Sequence, residues 1–397
     1  MRARLLVLLL VLIPACKRNT HEEPPVASPA AKELAARNNR FGLELYREAH
    51  KAGSNSAVSP VSLAMALQLA ATGAAGETRK QMLDVLHTQA IDLPAGNRDL
   101  LDALKARKGM KLEVANSVWV DPARMQLDAA FRGTAETSFD AMARELDFSD
   151  AGARNTINQW ISDRTSKRIP ELIDRIDADV AAYLINAVYF KGEWTERFDK
   201  SRSREGEFRL ANGTVKEVPM MHRDGDFDYA QDGDTQVARL TFGPGKGASM
   251  WFALPSEKAG VEALVATLKP ETIERWAAAA KPSELPLALP RFTFRHRMDA
   301  GGALRSLGMT MPFDEGAADF SKMGKGAAGN LFISRVLHEV FVEVNEEGAE
   351  AAAATAVEMK ATSAPMPLEF NRPFVFAITD DTTGALLFVG VVADPKP

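Results

Sequence analysis

Cysteine occurs once in 397 residues, at Cys16. With no second thiol the chain forms no internal disulfide and no thiolate zinc site, so its stability must come from packing. Catalytic motifs are equally scarce. There is no G-x-S-x-G elbow and no P-loop, and none of the six histidines stands in H-E-x-x-H or another metal-ligand spacing. The glycine-rich runs "GPGKG" at 243–247 and "GKGAAG" at 324–329 lack the Lys-Ser/Thr pair and the strand-to-helix setting of phosphate loops, and read as flexible turns. A formal charge of −5 leaves no basic footprint for nucleic acid. The sequence therefore implies no enzyme, no metal, no cofactor and no nucleic-acid partner.

What is present is the balance of a soluble globular protein, with 46% hydrophobic and 25% charged residues. The N-terminus "MRARLLVLLLVLIPAC" carries two arginines, an apolar run from Leu5 to Ile13 too short to span a bilayer, and a small residue before Cys16. Residues 1–15 read as a signal peptide. "IPAC" resembles the box of bacterial lipoprotein processing, which makes Cys16 a lipidation site; the alternative is an ordinary signal and a secreted chain. Loss of Arg2 and Arg4 takes the formal charge from −5 to −7. Residues 16–32, "CKRNTHEEPPVASPAAK", read as a semi-extended tether. The expected localisation is export, anchored by lipid to a bacterial outer membrane, in the periplasm or at the cell surface.

From residue 33 to 397 no second linker and no repeat interrupts the chain, so one domain is expected. Leu34, Phe41 and Leu45 fall at helical spacing, and "SPVSLAMALQLAATG" places Ser59 as N-cap, Pro60 at the first helical position and Gly73 as the stop. Later runs such as "LEVANSVWV", "YLINAVYF", "SMWFALP" and "RVLHEVFVEV" are short and apolar or alternating, as strands are. Helices first and strands later predict an α+β fold with large, mainly antiparallel sheets.

Two features stand out. His338 shares a strand face with Val336, Val340, Val342 and Val344, and reads as a buried core histidine held by a hydrogen bond rather than as a ligand or base. The stretch "EVNEEGAEAAAATAVEMK" has two periodicities. On propensity alone its alanines favour a helix. As a strand, Ala349, Ala351, Ala353, Thr355, Val357 and Met359 share one face, and Glu350, Glu358 and Lys360 fall on the other. A segment that can be solvated in one state and buried on one face in another suits a conformational switch.

These residues carry a resemblance. "NEEGAEAAAATA" resembles the reactive-loop hinge of the serpins, and "FNRPFVFAITDDTTGALLFVGVVADP" their C-terminal hairpin. "INQWISDRTSKRIPELI", "LINAVYFKGEWTERFD", "VPMMHRDGDF" and "LGMTMPFDEGAADFSKM" are similar to serpin segments in the same order. The resemblance implies one serpin domain with three sheets, eight or nine helices and a reactive loop over about 346–368. It implies a polar cluster of Ser59, Ser62, Asn186 and His338 where the main sheet opens, with Trp194 at the top where the loop enters, and a hinge formed by Glu346, Gly348, Ala349, Ala351, Ala353 and Thr355.

The family mechanism would make the chain a suicide inhibitor. A protease cuts the loop and forms its acyl-enzyme, and the cut loop inserts into the main sheet before water can release it. Family spacing, seventeen residues from Glu346 inclusive or eight back from Phe370, puts the reactive bond at Thr362-Ser363. A threonine there suits elastase-like or subtilisin-like serine proteases, with papain-like cysteine proteases a further class; Lys360 leaves a trypsin-like cut open. The implied partners are a target serine protease, held covalently, and a membrane reached through the lipid, with the inhibitor itself a monomer. The alternative is a non-inhibitory serpin-like binding or structural protein, whose usual bulky or charged hinge residues are absent here.

Overall fold

The computed structural model describes residues 27–107, 109–177, 180–326, 331–349 and 367–396. The first half of the chain runs α1 (Pro29–Ala49), β1 (Ser56–Val58), α2 (Pro60–Gly73), α3 (Gly76–Val85), α4 (Leu93–Lys105), β2 (Met110–Val120), β3 (Met125–Leu127), α5 (Ala129–Phe139), β4 (Met142–Glu145), α6 (Ala153–Arg164) and β5 (Ala182–Glu193). There follow β6 (Arg204–Arg209), β7 (Val215–Asp224), β8 (Phe227–Asp232), β9 (Thr235–Phe242), β10 (Ala248–Leu254), α7 (Gly260–Thr267), α8 (Pro270–Ala279), β11 (Lys281–Ser283) and β12 (Pro286–Pro290). The chain closes with β13 (Phe292–Asp299), α9 (Gly301–Ser306), β14 (Gly324–Gly326), β15 (Arg335–Val344), β16 (Gly348–Ala349), β17 (Leu368–Glu369), β18 (Phe374–Asp380) and β19 (Leu386–Val392).

The strands form three large sheets, as expected, plus a two-stranded ribbon. The main sheet has the order β13-β15-β5-β2-β4, with β16 added against β5. A seven-stranded antiparallel sheet runs β1-β19-β18-β10-β9-β8-β11, and a third runs β17-β12-β7-β6. The ribbon pairs β14 with β3, so Gly324–Gly326, expected as part of a flexible turn, are strand; Gly243–Gly247 do form the β9–β10 turn.

The helices follow their sequence signals with two differences. α1 begins at Pro29, so residues 29–32, expected in the tether, are its first turn: Pro29 needs no donor there and Ser28 Oγ accepts from Ala31 N at 3.1 Å. α2 has the expected bounds and is buried almost all round, as its largely apolar sequence requires, with Ser62 and Gln68 hydrogen-bonded where they are buried. Its N-cap Ser59, however, makes no side-chain cap.

Strand alternation gives the main sheet two faces. Leu184, Val188 and Phe190 of β5 point into the core shared with α2 and the seven-stranded sheet. Tyr183, Ile185, Ala187 and Tyr189 point outward, under Ile157 and Ile161 of α6 and under Ile169, Leu172 and Ile173 of the segment that follows it. Phe376 of β18 fills the space between the sheets, 6.0 Å from the ring of Phe292 and 6.3 Å from that of Phe294, and is fully buried. Phe376→Ala is expected to cost about 3–5 kcal/mol in chemical denaturation, the range for a buried phenylalanine; a loss under about 1 kcal/mol would show that the sheets do not pack through this ring.

Candidate functional site

The main sheet is mixed, and its one parallel central pairing lies between β5 and β15, from Tyr183↔Arg335 to Tyr189↔Phe341. Above that seam the chain leaves β15 and reverses over residues 345–348. Gly348 and Ala349 then run back antiparallel to β5, opposite Glu193 and Gly192. The start of the hinge, Gly348 and Ala349, thus enters the sheet as a strand. The turn requires glycine: Gly348 has φ +142°, and a Cβ there would lie 2.1 Å from the Gly192 carbonyl oxygen.

Three consecutive hinge carbonyls are held by the chain that follows β5. The Trp194 indole donates to Asn345 O at 2.9 Å, Phe198 N to Glu346 O at 2.8 Å and Trp194 N to Glu347 O at 2.9 Å. The Trp194 ring stacks on Phe242 at 4.5 Å and 10°. The hinge carboxylates are buried yet partnered: Glu346 accepts from Arg291 and, at 2.6 Å, from Ser203 Oγ, and Glu347 pairs with Lys200. Burial pushes the Glu346 carboxyl up, but the hydrogen bonds from Arg291 and Ser203 outweigh it and hold the group below its usual range.

Beneath the seam on its inner face lies a buried polar chain. Ser59 N donates to His338 Nε2 at 3.1 Å, so the ring proton is on Nδ1 and goes to Asn186 Oδ1; Asn186 Nδ2 in turn serves Ser62 Oγ and Asn116 Oδ1. Four residues expected together, Ser59, Ser62, Asn186 and His338, are together. Asn116 of β2, which the sequence reading missed, joins them; its place opposite Asn186 is a matter of register between distant strands. Trp194 is apart from the cluster, at the far end of β5 beside the hinge. The Ser59 backbone is spent on His338, and its hydroxyl finds no partner among the described residues, nor does Asn116 Nδ2. Ala351, Ala353, Thr355, Thr362, Ser363 and Cys16 lie outside the described residues.

One further constellation was not foreseen. His50 places Nδ1 2.8 Å from Ser56 Oγ and Nε2 2.8 Å from Glu262 Oε2, the elements of an acid-base relay. Ser56 is only 2% exposed and its hydroxyl also meets Tyr46 at 2.9 Å, so no carbonyl can reach it. The group is a staple between α1, β1 and α7.

Burial, and secondarily the charge of His296, pushes the His338 imidazole down to about 3. The folded state keeps it neutral while the unfolded imidazole takes a proton near its ordinary 6.5, so the unfolded state binds more protons between about 3 and 6.5 and stability is lost as pH falls through that window. Relative to His338→Gln, the parent is expected to lose up to about 1.4 kcal/mol per pH unit below pH 6 in denaturation midpoints. Parallel profiles for the two chains would show that His338 does not titrate on unfolding.

Comparison with known proteins bears on this geometry. The family profile described as serpin (serine protease inhibitor) matches residues 36–395. Serpin-ZXA of Oryza sativa subsp. japonica is 35% identical over 377 residues, covering 90% of this chain and 95% of its own. Corticosteroid-binding globulin of Ovis aries is 30% identical over 375 residues, covering 92% and 86%. The crystal structure of the thermophilic serpin Tengpin in its native state matches with a TM-score of 0.85 at 30% identity, over 91% of this chain and 94% of that one. A hinge entering a parallel seam, a polar chain beneath it and a match along nearly the whole length agree: the chain belongs to the serpin family.

Proposed function

We propose that this serpin is a single-use protease inhibitor that acts by loop cleavage, acyl-enzyme formation and strand insertion. The observation that carries the reading is the pairing of Gly348 and Ala349 with β5. Continued down β5 in the same register, it would set Ala351 opposite Phe190, Ala353 opposite Val188, Thr355 opposite Asn186 and Val357 opposite Leu184, all on the inner face. Three small or apolar side chains would meet apolar levels, and the hydroxyl of Thr355 would reach the level of Asn186 and His338. The charges of Glu350 and Glu358 would fall on the other face.

The reaction is a race. Attack of the protease nucleophile on the Thr362 carbonyl breaks the bond to Ser363 and frees the amine of Ser363. The released loop can then enter the seam, carrying the acylated end on the order of 40 Å at about 3.3 Å per residue, before water attacks the ester. A penalty of about 3 kcal/mol at the insertion barrier would slow that step about 100-fold and let hydrolysis win.

A second reading, a non-inhibitory carrier, has one observation in its favour. A cavity of about 310 Å³ lies between α1 and α8, lined by Asn39, Leu43, Trp251, Ile273 and Leu386, and the sheep relative is named for binding a corticosteroid. The small side chains of the hinge weigh against it.

With an elastase-like or subtilisin-like protease the parent is expected to give an SDS-stable complex whose mass maps the cut to Thr362-Ser363. Loop cleavage should raise its melting temperature sharply. Ala351→Arg, which would press a charge against Phe190 at a cost of several kcal/mol, should yield cleaved chain and free protease. Cleavage without complex or rise in melting temperature would favour the carrier, and an Arg variant that traps as well as the parent would sink the insertion argument. The inhibitor is further proposed to act at a membrane surface through a lipid on Cys16: Cys16→Ser should move the chain from the membrane to the soluble fraction, and an unchanged distribution would refute the anchor.

A further inference from the structure

Next to His338, on the opposite face of β15, stands an acid that the mechanism above does not use. Glu339 is 3% exposed and lies between Leu337 and Phe341 in the apolar layer under α6. Its backbone neighbours are Ala187 on β5 and Arg297 on β13. Among the described residues its carboxylate makes no hydrogen bond and no ion pair. Arg297, its register neighbour on β13, is committed to Asp174 through two hydrogen bonds of 3.0 and 2.9 Å, and Arg295 exerts the larger pull on it without pairing with it.

We propose that Glu339, a carboxylate enclosed without a partner on a strand of the seam, governs how readily β15 parts from β5 and makes that opening proton-dependent. Its effect on protease trapping rests on the inhibitory reading; its effect on the closed sheet does not.

The charged and titratable groups around it come from each packed element. β13 contributes Arg295 and Arg297, and the segment after α6 contributes Arg168, over the Phe341 ring at 5.6 Å, and Asp174. β15 itself carries Arg335, bound to Asp299 at 2.9 Å, and Glu343, which accepts from Asn345 Nδ2 at 3.2 Å. β5 offers the rings of Tyr183 and Tyr189, and α6 turns Ile157 and Ile161 toward the sheet. Burial outweighs the pull of Arg295 and Arg297 and pushes the Glu339 carboxyl up to about 7.

Opening the seam separates β15 from β5 by a strand's width, about 4.8 Å, and lets water reach the carboxylate. In the register extended from Gly348, the incoming residues on the outer face near Glu339 are Ala352, Ala354 and Ala356, too small to close over it. The open sheet therefore returns the acid toward its ordinary 4.5. Between about 4.5 and 7 the closed sheet holds the proton more tightly than the open one. Closed-state stability consequently falls as pH rises through that window, and the loss is complete above it.

The test compares the intact parent with Glu339→Gln in thermal melts from pH 5 to pH 8, with Glu339→Leu as a second non-titrating chain should the first fold poorly. His338 is common to all three, so its own pH dependence cancels in the difference. The variants are expected to melt within about 1 °C of the parent at pH 5 and about 4 °C above it at pH 8. A difference that is zero, or the same at every pH, overturns the proposal. With subtilisin as probe, the parent's ratio of trapped to hydrolysed chain, divided by that of the variant at the same pH, should rise about tenfold from pH 5.5 to pH 8; a constant quotient counts against Glu339. If the melts follow the expected profile while no chain traps subtilisin, Glu339 keeps its role and the inhibitory reading falls.

Discussion

The structure turns on the parallel pairing of β5 with β15. Parallel ladders are slightly weaker per residue than antiparallel ones, and this one lies at the centre of an otherwise extensively packed sheet. The chain that leaves β15 reverses at once, and its first two strand residues already run antiparallel to β5. Any continuation of that strand would replace one parallel interface by two antiparallel ones. The preference for a sixth full strand is thus written into the strand directions, independently of any side chain.

Side chains decide whether the preference can be realised. On the inner face the polar chain through His338, Asn186 and Ser62 ties β15 and β5 to α2, and neither strand can move without breaking buried hydrogen bonds. At the upper end, Glu346 and Glu347 hold the hinge to Arg291, Ser203 and Lys200, which keeps the turn at Gly348 in place. In each pair the carboxylate is buried while the basic partner reaches solvent, so removing the partner would leave a buried charge unpaired, and the pairs fix geometry more than they add to the total. The seam is closed by contacts that are specific and local, while the driving force to open it is spread along a strand.

Much of this could be read in the sequence because it rests on local rules. A histidine among alternating valines must be buried, and Pro60 after Ser59 starts a helix. What could not be read depends on which strand neighbours which. Asn116 joins the cluster only because β2 pairs with β5 in that register, Arg291 meets Glu346 because β13 flanks β15, and the tether loses its last residues to α1 because Ser28 finds a capping geometry. Of the hinge, Gly348 and Ala349 are strand, paired with Glu193 and Gly192 of β5; the alanine block from Ala351 to Ala354 lies outside the described residues.

His338 and Glu339 are consecutive, so the strand presents them to opposite faces, and burial keeps both neutral by opposite means. The base gives up its proton and the acid retains one. Between about 4.5 and 6.5 the two linkages have opposite sign, and the closed sheet gains on one face what it loses on the other. Below that range only the imidazole still responds, so acid weakens the sheet from within. Above about 7 the imidazole is neutral in every state and the carboxylate alone is under strain. A sheet built this way is closed most securely in mild acid, and it loosens on both sides of that range, through the imidazole in stronger acid and through the carboxylate toward neutral pH.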